Sequence, residues 1–330
     1  MVVSLTESKL KTGETVSTAV VHGPDLEWAD RIAAMLAHKG DPWNWQNSEL
    51  LREPVGVSAR FYVLHRDGRP FSHIMLVAAS GLAFLGHVWT EPADRGVGAS
   101  AILMDLVLEQ LRQKDFPDII LGTEPGSAAY HYYERRGFVP VAAGSGYMLL
   151  SDGSVSTFFQ KWFGREPEKI ELLNWSHWPA SAPLCLGDFP DQVRLAATGL
   201  FGRASSERAL LPMLRQQRQS QVSGGPDCAV ALVAANGAVW GFGVADAGSH
   251  LAGPGCSRYF LSSGRVVARC GDARRDTREI PPGLRGLRRC RRHGQGSGAV
   301  GRRVYPRFRS AGLAAGPRRC GPLAEGGLKI

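Results

Sequence analysis

The sequence predicts an α/β chain of the α+β type, with one sheet-centred unit followed by a smaller and less regular one. Three observations carry this. Apolar positions up to Leu150 fall into short strand-like runs and helix-spaced stripes, in the order strand, helix, three strands, helix, strand, helix, two strands. Two of those runs flank Asp67-Gly68, a dipeptide suited to a tight hairpin. A glycine-rich turn, Arg95 to Ser100, leads from a strand into a helix. The chain length of 330 residues agrees with about two domains.

Val16 to Val21 reads as the first strand, and Pro24-Asp25 opens a helix whose apolar face is Leu26, Ile32, Ala33, Leu36 and Ala37. Pro42-Trp43-Asn44-Trp45 is expected to end that helix and begin a looser stretch. Arg60 to His65, Phe71 to Ala79 and Leu82 to Thr90 follow as strands. The turn from Gly96 starts a helix with Ala99, Leu103, Leu106, Val107 and Leu111 on its buried face. Ile119 to Leu121 is a short buried strand. Pro125 starts a helix that stops at Gly137, which suits a left-handed residue just past a helix end. Phe138 to Val141 and Tyr147 to Leu150 complete the sheet.

Residues 1–153 are therefore expected to form the first domain and 154–172 a connector. Glu171 to Trp175, at the border of the connector with the second unit 173–252, and Pro183 to Leu186 read as strands and Pro190 to Arg218 as helical. Cys228 to Ala234 and Val239 to Ala245 flank Asn236-Gly237, a hairpin matching the one at Asp67-Gly68, so this unit reads as a partial internal repeat. From Gly253 the periodicity ends. Residues 253–330 hold 18 bases against four acids, a net of +14, while the rest of the chain holds 21 against 26, a net of −5. Four of the six cysteines also lie there. A disordered extension or a reading-frame slip is the expectation for this Arg- and Gly-rich tail.

Composition narrows the function. Hydrophobic residues make up 44% and charged residues 21%, as in ordinary globular proteins. No run approaches the roughly 18 to 20 apolar residues of a membrane span, and the N-terminus lacks a signal-like apolar core, so a cytoplasmic protein without a membrane partner is expected. The basic charge belongs to the tail alone, which argues against a nucleic-acid partner for the folded part. The cysteine spacings suit neither zinc nor a disulfide framework. No metal is expected.

The chemistry lies between Gly86 and Gly137. A glycine-rich turn at a helix start presents unpaired N–H groups and the positive end of the helix dipole, a site for phosphate. Gly96-Val97-Gly98-Ala99-Ser100-Ala101 formally fits the dinucleotide fingerprint. That fingerprint, however, needs its first glycine at the strand end, and five residues separate Thr90 from Gly96. A P-loop is excluded because no Gly-Lys-Ser/Thr follows.

Here the sequence resembles the GNAT superfamily of N-acetyltransferases. The family's coenzyme A signature, Arg/Gln-x-x-Gly-x-Gly/Ala, is similar to Arg95, Gly98 and Ser100, with Ser a small departure in the third slot. Its second signature resembles Tyr133-Glu134-Arg135-Arg136-Gly137-Phe138. An Asn that members often place ahead of this Tyr is Gly126 here. The resemblance covers Val16 to Leu150 and implies a mixed, mostly antiparallel sheet flanked by helices, with a partial GNAT-like unit behind it.

The resemblance implies acetyl-CoA as co-substrate. Its pyrophosphate would lie on Gly96, Val97, Gly98, Ala99 and Ser100 beside Arg95, and its pantetheine arm along Val88, Trp89 and Thr90. It also implies direct attack by a primary amine of a small molecule or peptide, with Tyr133 as general acid. His87 and Glu91 are candidates for the base, because both flank the strand that meets the thioester. Trp43 and Trp45 would shape the acceptor site or cap the core. The alternative is a non-catalytic acyl-CoA-binding regulatory module, which would bind without turnover. The second unit carries no Arg-x-x-Gly-x-Gly/Ala run after a strand, which argues against a tandem enzyme.

Overall fold

Strands Phe61 to Leu64 and Ile74 to Ala78 are apolar on both faces, so the sheet that contains them must be covered on both sides. The computed structural model shows how; it describes residues 2–112, 118–187, 194–195, 200–201, 205–245 and 257–261. The first part runs β1 (Val2–Lys9), β2 (Thr15–His22), α1 (Leu26–Leu36), α2 (Trp43–Arg52), β3 (Ser58–Arg66), β4 (Arg69–Ala79), β5 (Leu82–Thr90), α3 (Ala99–Arg112), β6 (Asp118–Gly122), α4 (Ala128–Glu134), β7 (Val139–Pro140) and β8 (Tyr147–Leu150). These strands form one eight-stranded sheet in the order β1-β2-β3-β4-β5-β6-β8-β7. Every pairing is antiparallel except β5 with β6.

Alternation along the strands sends one set of side chains to each face. Val21, Phe61, Val63, Met75, Val77 and Phe84 pack with α1 and α2. Val20, Tyr62, Leu64, Ile74, Leu76 and Leu85 pack with α3. The α+β class and the mixed, mostly antiparallel sheet are as the sequence predicts. The β3–β4 turn has positive φ at both Asp67 (47°) and Gly68 (80°), the mirror-image turn that matches strand twist.

The second part contains α5 (Val155–Trp162), β9 (Pro167–Leu172), α6 (His177–Ala180), α7 (Ala182–Leu186), β10 (Arg194–Leu195), β11 (Leu200–Phe201), α8 (Ser206–Val222), β12 (Ala229–Ala234), β13 (Val239–Ala245) and β14 (Ser257–Leu261). Its main sheet has the order β14-β13-β12-β9, all antiparallel. That order matches β5-β4-β3-β2 in the first sheet, with helices again between the first two strands of the chain. This half does not close a core of its own. Leu210, Leu211, Met213 and Leu214 of α8 share one hydrophobic cluster with α1, α2 and the α6–α7 segment.

Several expectations are corrected. Trp43 to Arg52 is helix and not a loose stretch: Pro42 stands just before the helix, where its missing N–H costs nothing. Pro183 to Leu186 lies within a helix, because α7 is buried all round and its residues carry no periodicity to distinguish it from a strand. The strand expected over Glu171 to Trp175 ends at Leu172, where the Asn174 side chain accepts from the Ser176 N–H at 2.9 Å and turns the chain. The helix expected over Pro190 to Arg218 is confined to α8, and the rest of that span is two short strands or lies outside the described residues. The β12–β13 connection is not of the Asp67-Gly68 type. Only Gly237 (83°) has positive φ, and the register shifts between Leu232 and Val233. Sequence reading also missed β1. Of the tail, Ser257 to Leu261 extends the second sheet as β14, and the remaining expectation about 253–330 lies outside the described residues.

Candidate active site

The glycine-rich loop is held from several directions. The Glu91 N–H donates to the Phe71 carbonyl at 2.8 Å, and Arg66 clamps Asp94 at 2.8 Å. Arg95 donates from Nε to the Thr90 carbonyl at 3.1 Å and lays its guanidinium 4.7 Å from the Trp89 ring centre. Gly96 (φ 80°) and Gly98 (φ 89°) then take left-handed conformations that favour glycine. The Gly98 carbonyl accepts the N–H groups of Ala101 and Ile102 and starts α3. Among the described residues, no N–H from Gly96 to Ser100 donates to a protein acceptor. Five donors at a helix start are thus free for an anion. Lys11, from the β1–β2 turn, donates its N–H to the Val97 carbonyl at 3.0 Å and packs its stem against Gly98. Sequence reasoning missed Lys11, since it gave no reason to expect β1.

Beside the loop the sheet opens. β5 and β6 pair from Leu82–Asp118 to Leu85–Leu121 and no further, so Gly86 to Thr90 have no partner strand on that side. On its other edge β5 carries a bulge: Met75 faces Gly86, whereas His73 faces Trp89. His87 sits in it with φ of 51°, a conformation costing about 1–2 kcal/mol in a residue with a Cβ. The strain is tolerated where surroundings over-determine it. His73 Nδ1–H donates to the His87 carbonyl at 2.9 Å, and burial depresses the His73 pKa to about 4.

Tyr133 lies on α4, in the cluster that also holds Val88 and Val97. Its ring packs against Tyr132 and Phe138 with centres 5.4 and 5.7 Å away. Burial, followed by the neighbouring Tyr132, raises its pKa, so the phenol stays protonated. The Tyr132 hydroxyl donates to the Ser100 carbonyl at 2.8 Å and ties α4 to the first turn of α3. Ser127 caps α4 by accepting the Tyr130 N–H at 3.1 Å. Ser127→Ala is expected to lower stability by about 1 kcal/mol, read from denaturant melts, with coenzyme A affinity retained.

Opposite that cluster, His87 Nε2 lies 3.4 Å from Gln46 Oε1 and 3.7 Å from Glu207 Oε1. Burial, followed by Lys39, pushes the His87 pKa well down, so the ring is neutral. Glu207 comes from the second part of the chain, and nothing in the sequence pointed to it. The Trp89 ring lies against His38 with centres 4.0 Å apart and planes tilted by 35°, and Lys39 Nζ stands 5.6 Å from its centre. Trp43 and Trp45 both belong to α2; Trp43 helps hold down the Glu207 pKa, and Trp45 stacks on Trp175 at 5.4 Å. Asn47 is buried with neither amide atom hydrogen-bonded. Glu91 stands just past the end of β5 at Thr90. Among the described residues no cluster of three or more metal-binding side chains occurs.

The family model described as "Acetyltransferase (GNAT) family" matches residues 26–138. This segment is a GNAT acetyltransferase domain. It contains the glycine loop, the bulged strand and Tyr133. Solved structures similar to the chain include a GNAT family acetyltransferase from Brucella melitensis in complex with acetyl-CoA, 21% identical, covering 42% of this chain and 89% of that one with a TM-score of 0.32. An acyl-CoA N-acyltransferase from Pseudomonas aeruginosa is 19% identical, covering 41% and 97% with a TM-score of 0.33. Comparison with curated proteins returned no match. Among the described residues no helix is long and apolar enough to cross a membrane.

Proposed function

We propose that the chain is a cytoplasmic N-acetyltransferase that moves the acetyl group of acetyl-CoA to a primary amine of a small molecule or peptide by direct attack. The observation that carries this is the row of free N–H groups from Gly96 to Ser100 at the mouth of the gap between β5 and β6. The residues present fit the co-substrate. Pyrophosphate oxygens would accept from the loop N–H groups, with Arg95 and the Lys11 ammonium supplying positive charge. The pantetheine amides would pair with the unpartnered edge Val88, Trp89 and Thr90 as an added strand. Running inward from the loop, that arm brings the thioester to Gly86 and His87, where β5 rejoins β6.

The amine lone pair attacks the thioester carbonyl, the C–N bond forms and the C–S bond breaks. The departing sulfur takes a proton from Tyr133, whose raised pKa keeps it a donor. The matching strand order of the two sheets supports reading the part from β9 to β14, wider than 173–252, as a partial GNAT-like repeat that covers the acceptor side. A screen of amines and peptides with acetyl-CoA, read by thiol release, tests the function. Binding of coenzyme A without release by any amine would mark a regulatory acyl-CoA-binding module instead.

A further inference from the structure

We propose that Glu207 is the general base of this reaction, a carboxylate that the second part of the chain inserts into the acceptor side of the GNAT domain. The inference rests on the acetyltransferase reading and adds to it an acceptor that arrives as an ammonium ion. Glu207 stands at the start of α8 and is fixed there by the Ser205 hydroxyl, which donates to Oε2 at 2.9 Å, and the Trp43 indole helps hold its pKa down. Its Oε1 lies 3.7 Å from His87 Nε2 and equally far from the position a side chain on Gly86 would take. Gly86 is the first residue of β5 that β6 no longer pairs, so the carboxylate borders the point where, on the proposed binding mode, the thioester would come to rest. The side chain keeps 14% exposure, which leaves it reachable.

A protonated amine has no lone pair to attack with, so a nearby acceptor must first take its proton. Three groups compete for that role. Glu91 lies past the strand end. His87 is neutral, but its Nε2 already faces Gln46 and Glu207, which makes it a positioning residue. Glu207 is the remaining carboxyl group at the bulge. The charged and titratable groups around it are Lys39 from the turn after α1, His87 in the bulge and, behind that, His73 and His38. Burial raises its pKa, while the Ser205 and Trp43 hydrogen bonds and Lys39 oppose the rise. The α8 side chains Leu210 and Leu214 belong to the α1–α2 cluster, and Tyr133 to the α3 cluster. Acid and base therefore meet the thioester from opposite faces of the sheet. The proton balance closes: one ammonium proton passes to Glu207 and on to solvent, Tyr133 gives its proton to the coenzyme A thiolate, and the proton that nitrogen sheds as the amide forms restores Tyr133 through solvent.

The test uses the full chain, acetyl-CoA, a panel of primary alkylamines, and hydroxylamine, which is already unprotonated at neutral pH. Glu207→Gln keeps the shape and removes the charge. Thiol release with the alkylamine used best is expected to fall on the order of 10²-fold, and hydroxylamine turnover by less than about tenfold. The acidic limb of the kcat/KM profile, where falling pH protonates the base, is expected to vanish, while coenzyme A affinity and Tm hold. Wild-type rates in the variant overturn the assignment and leave the acetyltransferase reading standing, as do equal losses with both nucleophiles. If Glu207→Gln lowers Tm, Glu207→Asp decides: a slower enzyme that keeps the acidic limb supports the base, and loss of the limb overturns it. A wild-type chain that releases no thiol with any amine overturns the reading itself, and the base with it.

Discussion

Tyr133→Phe is expected to lower kcat by about 10²-fold or more while acetyl-CoA affinity stays near wild type. The ring makes the packing contacts: it meets Tyr132 and Phe138 edge-on, and phenylalanine preserves both contacts. Only the hydroxyl is lost. Because burial raises the phenol pKa, the group stays protonated throughout the neutral range and is available as a proton donor, not as a base. On the proposed mechanism the hydroxyl acts in the step where negative charge appears on sulfur, so the loss is expected in kcat and not in binding. A tenfold or smaller fall in kcat, measured by thiol release at saturating acetyl-CoA, would assign Tyr133 to packing.

The parts legible in the sequence are those whose physics is local. The Asp67-Gly68 turn, the glycines of the 95–100 loop and the α4 stop at Gly137 each need a left-handed backbone, and φ of 47°, 80°, 80°, 89° and 89° at Asp67, Gly68, Gly96, Gly98 and Gly137 reports that need. The strands β3 to β6 announced themselves as apolar blocks because both faces of the sheet are covered. What escaped the reading depends on distant partners. α7 is buried on every side, so it shows no stripe. α2 begins behind a proline that resembles a breaker. Glu207 is an ordinary acid in the first turn of a helix until α8 packs against α1 and α2 and carries it to His87. Lys11 gains meaning only once the β1–β2 turn reaches the loop. Tertiary packing made these, and no local pattern encodes it.

Gly98→Asp should abolish coenzyme A binding in calorimetry, with affinity lowered by about 10²-fold or more, whereas Gly98→Asn should stay within about tenfold of wild type. The pair separates two effects. Gly98 has φ of 89°, and any Cβ there comes within 3.2 Å of the Lys11 stem. Both variants meet that strain, and Asn and Asp tolerate the left-handed region better than other side chains do. They differ in charge. An aspartate carboxylate sits among the free N–H groups of Gly96 to Ser100, takes the place of the phosphate oxygens and neutralises the nearby Lys11. It then repels the pyrophosphate at short range, where screening is weakest. A loss of 10²-fold corresponds to about 2.7 kcal/mol, more than the strain the two variants share. Added salt should recover part of the Asp variant's affinity relative to wild type. Equal affinity in the Asp variant, the Asn variant and wild type would remove the pyrophosphate from this loop.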